Sequence, residues 1–93
     1  MHIIIVYDIN TEDAAGQRRL TKALKVCRKY LTHVQKSVFE GVLPEGKLAM
    51  LRRDLMKIVD IKKDFVIIYS LPEGVNINRD ILTDTPDPMD NFL

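Results

Sequence analysis

The chain has 93 residues, 46% of them hydrophobic and 29% charged, enough for one domain with its own core and too few for a second domain of ordinary size. That balance excludes a disordered chain, and the longest apolar run, Ile3 to Tyr7, falls far short of the roughly 20 residues of a membrane-spanning helix. The net charge of +1 hides a division: residues 17–36 carry Arg18, Arg19, Lys22, Lys25, Arg28, Lys29 and Lys36 with no acid, while residues 72–93 carry Arg79 against Glu73, Asp80, Asp84, Asp87 and Asp90.

Residues 2–7 are β-branched and aromatic without alternation, as in a strand covered on both faces or lying at a subunit contact. Asp8 ends that run. Asn10 and Thr11 are capping types and Glu12 and Asp13 put negative charge in a first turn, so a helix is expected from about residue 12 to Tyr30. Its apolar sector is Leu20, Ala23, Leu24, Cys27 and Leu31, and Arg18, Lys22, Lys25 and Lys29 fall opposite. Residues 33–43 read as extended, with apolar and polar residues on both faces, which leaves open one bent strand or two short ones. Pro44 to Gly46 turns the chain, and Leu48, Leu51, Leu55, Ile58 and Val59 recur at helical spacing. Phe65 to Leu71 repeats the character of the first strand; Pro72 to Gly74 turns again, and Pro86 and Pro88 limit regular structure beyond.

This order predicts an α+β, ferredoxin-like βαββαβ domain spanning residues 1–93, with both helices on one face of an antiparallel sheet. Because the strands at 3–7 and 65–71 are apolar on both sides, a second subunit is expected over the other face, giving a homodimer packed through its sheets. Residues 72–93 are expected to form an extension that docks on the partner subunit, with Val75 to Ile77 as an additional C-terminal strand at its sheet edge.

The sequence carries no Gly-rich phosphate loop, nucleophile elbow or metal-binding histidine pair, which argues against nucleotide hydrolysis, acyl transfer and zinc proteolysis. The lone Cys27 cannot form an internal disulfide and reads as core; with no basic segment ahead of a cleavable signal, a cytoplasmic location is expected. Asp8 remains. At the end of an apolar strand it is either a carboxylate for a magnesium ion, which one or two carboxylates plus substrate phosphate can hold, or a backbone-bonding residue at the turn. The stripe from Arg18 to Lys29 would extend about 16 Å along a helix and suits several phosphates, or is a solvated face.

Tyr7-Asp8-Ile9 at a strand end, then Val34-Gln35-Lys36-Ser37-Val38-Phe39-Glu40-Gly41, then Asp64 to Tyr69 in the pattern Asp-x-Val-x-Ile-Tyr, resembles the small CRISPR-associated adaptation proteins of the Cas two family over residues 1 to about 72. The resemblance implies a homodimer that partners the CRISPR integrase in spacer acquisition and acts as a metal-dependent endonuclease on single-stranded RNA or double-stranded DNA. It implies Asp8 as catalytic and as the ligand of a magnesium ion shared by the two subunits. It also implies Arg18 and Arg19, with Lys22, Lys25 and Lys29, as nucleic-acid contacts, and Tyr7, Asn10, Ser37 and Phe39 as supporting positions. Two departures stand out: Leu31 replaces a glycine common after the helix-ending tyrosine, and His33 an arginine common before Val-Gln. The alternatives are a stand-alone ribonuclease of the virulence-associated toxin type, which shares an early strand-end aspartate, and a DNA scaffold without catalysis.

Overall fold

β-Branched residues dominate His2–Asp8, the first strand, β1, and their pairing on both sides makes it a central strand of the sheet. The structure, a computed structural model, describes residues 1–90. The remaining elements are α1 (Ala14–Tyr30), β2 (Thr32–Gln35), β3 (Val38–Val42), α2 (Glu45–Met56), β4 (Phe65–Leu71) and a short 3₁₀ turn at Pro88–Asp90. The sheet is antiparallel in the order β2-β3-β1-β4, which with the two helices is the expected ferredoxin-like arrangement. The segment left open between one strand and two is resolved as two strands, broken at Lys36-Ser37. Tyr7 holds that turn, donating its backbone N–H to the Ser37 carbonyl at 3.1 Å and its hydroxyl to the Lys36 carbonyl.

Strand register sorts the side chains. Ile5 faces Phe39 on one side and Ile68 on the other, and these point toward the helices with Ile3 and Tyr7. Ile3, Ile5, Phe39 and Leu51 are fully excluded from solvent, and Ala23, Cys27 and Leu55 close the core from above. The opposite face carries Ile4, Val6, Val38, Ile67, Tyr69 and Leu71, with Asp8 and Phe65 directly paired at its end. Tyr69 and Phe65 on that face are 55% and 60% exposed.

The first helix starts two residues later than the sequence suggests. Asp13, not Asn10 or Thr11, is the cap, and its Oδ1 accepts the Gly16 N–H at 2.8 Å. Asn10 instead uses its side-chain oxygen in a local turn, accepting the Glu12 N–H at 3.0 Å. The helix packs so closely on this loop that a Cβ on Gly16 would lie 1.9 Å from the Asn10 carbonyl oxygen. At the other end Leu31 has extended backbone (φ −135°, ψ 166°), so no glycine is required, and its Cδ2 fills the space over Gly41. The second helix begins earlier, at Glu45, and ends at Met56, leaving Ile58 and Val59 in a turn but still packed on the core.

The additional strand expected at Val75 to Ile77 is not formed within the single chain. The described residues after Leu71 contain no strand: a turn at Pro72–Val75, with Gly74 at φ 84°, redirects the chain before it can pair with β4. Arg79 then anchors the tail on its own subunit, reaching Glu40 at 3.4 Å and making a two-point bond to Asp87 at 2.5 and 3.0 Å. Glu40, nearly buried, also holds His2 at 2.7 Å. Part of the expected partner-docking extension, residues 91–93, lies outside the described residues.

Candidate active site

Asp8 is the last residue of β1, and the alternation of that strand sends its side chain to the face without helices. It is exposed, and among the described residues its carboxylate has no hydrogen-bond partner. It borders an open cleft of about 400 Å³ that is also lined by Asn10, Glu12, Lys62, Lys63 and Phe65. The backbone-bonding role considered for Asp8 belongs to another acid, Asp64. That side chain is fully buried and accepts from the Asn10 N–H at 2.9 Å, the Asp60 N–H at 2.8 Å, and Arg19 Nε and a terminal nitrogen at 2.9 and 3.2 Å. The Arg19 guanidinium beside it, with these backbone donors, holds the Asp64 carboxyl down at about 2. The loop that follows Asp8 is thereby tied to α1 and to the start of β4.

Arg19 is therefore placed differently from the phosphate contact expected of it. Its side chain is 16% exposed, and its Nε and one terminal nitrogen are engaged by Asp64 and, at 3.3 Å, by the Asn10 carbonyl. Arg18, Lys22 and Lys25 do share a surface, a shallow groove of about 390 Å³ on the outer side of α1, and Lys29 is exposed in the last turn of the same helix. The supporting positions divide. Asn10 lines the cleft, whereas Phe39 is wholly buried, with His33 stacked on it at 4.4 Å and 8°, and Ser37 and Tyr7 build the β2–β3 turn behind the sheet end. His33 thus contributes packing, not basic surface. Burial pushes the Cys27 thiol up to about 11, so it stays protonated at neutral pH and behaves as a core residue.

Reading the sequence missed Lys62 and Lys63 at the cleft and the Arg19–Asp64 pair beneath it. The signal for the pair was present in the aspartate that opens the Asp64 to Tyr69 motif. Its partner lies 45 residues earlier, a distance that periodicity cannot bridge.

Among the described residues no three His, Cys, Asp or Glu side chains converge as a metal centre. Asp64 is saturated by its four donors and the Asn10 side-chain oxygen is engaged by the Glu12 N–H, which leaves Asp8 and Glu12 as the cleft carboxylates without a partner among the described residues; of the two, Asp8 is the one carried by a strand. Hard carboxylate oxygens in an open cleft suit magnesium, which binds one or two carboxylates and completes its shell with water and phosphate oxygens.

The chain is thus a ferredoxin-like α+β domain with a strand-end aspartate on the sheet face without helices and a cationic outer helix. The sequence profile described as CRISPR associated protein Cas2 matches residues 1–76, and this chain belongs to that family. Over 91 residues it is 65% identical to the CRISPR-associated endoribonuclease Cas2 2 of Moorella thermoacetica, covering 98% of this chain and 100% of that one. It is 38% identical over 71 residues to the CRISPR-associated endonuclease Cas2 of Halalkalibacterium halodurans, covering 76% and 74% of the two chains. The crystal structure of Streptococcus pyogenes Cas2 superposes with a TM-score of 0.71 at 35% identity, covering 80% of this chain and 89% of that one. The resemblance drawn from the Tyr7-Asp8-Ile9 and Val34 to Gly41 motifs holds, and the toxin-like alternative gives way to it. Among the described residues no helix is long and apolar enough to cross a membrane.

Proposed function

We propose that the chain works as a homodimeric, magnesium-dependent endonuclease of the CRISPR adaptation machinery, cutting a phosphodiester at the cleft beside Asp8 while the α1 stripe holds the nucleic-acid backbone. The observation that carries this reading is Asp8 itself: a free, exposed carboxylate at the end of a central strand, on the sheet face that lacks helices. Relatives named endoribonuclease and endonuclease support it. With the apolar faces of two subunits packed together, Asp8 of each would lie toward the shared side, and the two carboxylates would hold one magnesium ion. When bound there, the ion would lower the pKa of a coordinated water and offset charge on the phosphoryl oxygens. The chain's own residues do the rest. The bonds from Asp64 to Asn10 and Asp60 fix the backbone on either side of the cleft, so Asp8 is presented without local rearrangement. Arg18, Lys22, Lys25 and Lys29 position phosphates without reading sequence. As a cytoplasmic partner of the CRISPR integrase, the same dimer would present this surface to DNA during spacer acquisition.

Asp8→Asn separates the catalytic role from the scaffold role. Cleavage of single-stranded RNA or duplex DNA is expected to fall by at least about a hundredfold, in the range seen when a charge-stabilising group is removed. Binding of the same oligonucleotides, measured without magnesium, is expected to stay within twofold, where ~0.4 kcal/mol is the corresponding free energy. Cleavage unchanged by Asp8→Asn would move catalysis elsewhere. Loss of cleavage with spacer integration intact would show that the two activities are distinct.

Dimerisation follows from the face carrying Ile4, Val6, Ile67, Tyr69 and Leu71, which is continuous and uncovered by helices. Light scattering should report twice the monomer mass at micromolar concentration. Deleting residues 72–93 should weaken the dimer, because this segment, seen here folded on Glu40 of its own chain, is proposed to extend along the partner. A dimer unaffected by the deletion would leave the tail on its own subunit.

Charge reversal at Lys22, Lys25 and Lys29 should weaken binding to unrelated sequences equally, and the slope of log K against log salt should flatten by about 2 to 3. An unaltered slope would make the stripe a solvated helix face.

A further inference from the structure

The cleft beside Asp8 carries its own counter-charge. Asp8 and Glu12 line it with one sign and Lys62 and Lys63 with the other, while the charge of Asp64 is answered by Arg19. The two lysines sit in the turn between α2 and β4, outside the strands whose helix-free face packs on a second subunit. The turn is built, not loose: the Asp60 carboxylate accepts the Lys62 N–H at 2.9 Å, and its carbonyl accepts the Lys63 and Asp64 N–H groups at 3.1 and 2.9 Å. The buried Asp64 carboxylate fixes the turn from below by accepting the Asp60 N–H at 2.8 Å. Among the described residues none of Asp8, Glu12, Lys62 and Lys63 makes an ion pair at contact distance. They share a cleft of about 400 Å³, whose width is comparable with the ~8 Å Debye length at physiological salt, so each charge is felt by the others without being neutralised by one of them.

Such a cleft treats its two charged ligands differently. A magnesium ion arriving alone is attracted by Asp8 and repelled by both lysines, and a phosphodiester arriving alone is attracted by both lysines. Phosphate held on the lysines then supplies the oxygens that complete a magnesium shell. In the dimer each subunit contributes equal numbers of both signs, so the balance survives pairing, and the lysines offset the repulsion between two Asp8 carboxylates brought together without metal. We infer that Lys62 and Lys63 are the counter-ions of the metal-free cleft and set the order of its assembly, with nucleic-acid phosphate first and magnesium second. This rests on the nuclease reading above and adds to it that the dimer without nucleic acid disfavours loading the ion. The lysines thus act on the reaction by positioning: they hold phosphate beside Asp8 and keep that carboxylate available until phosphate arrives.

The test compares full-length wild type with Lys62→Gln/Lys63→Gln and Lys62→Arg/Lys63→Arg, with dimer content checked by light scattering. Magnesium affinity without nucleic acid is read from the Asp8 carboxyl carbon resonance at constant ionic strength. Phosphate affinity is read from the anisotropy of a fluorescent 12-nucleotide RNA in EDTA, so that nothing is cut. The Gln variant is expected to bind magnesium about threefold or more tightly and the RNA about threefold or more weakly, with the RNA salt slope flattened by about 1. The Arg variant is expected to match wild type in both. Opposite signs are the signature, since damage to the turn would weaken both affinities and a solvated pair of lysines would change neither. Changes of the same sign, unaltered affinities in the Gln variant, or an Arg variant that behaves like it would overturn the inference while leaving the nuclease reading intact. No response of Asp8 to magnesium in any of the three proteins, with or without a non-cleavable oligonucleotide, would overturn both.

Discussion

Asp64→Ala is expected to destabilise the fold by about 3 kcal/mol or more, the usual cost of leaving one charge of a buried pair without its partner. The structural reason is concentrated in one side chain. Asp64 is fully buried, and its loss would strand the Arg19 guanidinium and two backbone N–H groups, those of Asn10 and Asp60. Asp64→Asn should cost less, because the amide oxygen can still accept from a backbone N–H while the charge is lost. Chemical denaturation of the dimer at pH 7 checks both variants.

The same group gives a pH signature with a definite sign. The Asp64 carboxyl is lowered in the folded chain to about 2, chiefly by its bond to Arg19, below the ~3.9 of an unfolded aspartate. The unfolded chain therefore takes up the proton first as acid is added. The stabilisation is complete above about pH 4 and drains away as the pH falls through the folded value near 2. The difference in stability between wild type and Asp64→Asn should accordingly be flat from pH 5 to 7 and narrow below about pH 4. A difference that widened in acid would contradict the assignment.

Gly16→Ala is the second large effect. An added methyl would stand 1.9 Å from the Asn10 carbonyl oxygen and 2.9 Å from its carbon, and the opposing atoms are backbone that cannot rotate away. Relief requires α1 to move off the β1 end, which would break the Arg19–Asp64 bonds and shift the residues beside Asp8. Loss of about 3 kcal/mol or more is expected, or failure to fold, as for other backbone clashes in a packed core. Gly46→Ala is the control, since nothing lies within 4 Å of its would-be Cβ and alanine favours the helix there.

Much of this architecture was legible in the sequence because hydrophobic periodicity reports each element's covered face. The unalternating run Ile3 to Tyr7 marked a central strand and predicted a face needing cover, and Ala23 and Cys27 were placed on the packed side of α1. Side-chain choices at the same loop were harder. Asn10, Thr11 and Asp13 are all good caps, and only the close approach of Gly16 to the Asn10 carbonyl decides for Asp13. Arg19 was expected to be a nucleic-acid contact from the family resemblance, and helical spacing, which leaves it out of the stripe, cannot show that it turns inward to an acid at the start of β4. The path of the tail was also hidden, since Arg79 finds Glu40 and Asp87 through contacts that leave no periodic trace. The departure at Leu31, by contrast, explains itself in the structure: an extended residue above Gly41 accepts a leucine side chain and packs it.

The claim on which the functional account turns is that the free Asp8 carboxylate binds magnesium, and the most direct measurement is its carboxyl carbon resonance during a magnesium titration of the intact protein. The account predicts a saturable shift at millimolar magnesium, steeper when a non-cleavable single-stranded oligonucleotide supplies phosphate oxygens, and absent from Asp64, whose acceptors are already filled. No response from Asp8, with or without the oligonucleotide, would contradict it and make this aspartate a structural feature of a nucleic-acid scaffold.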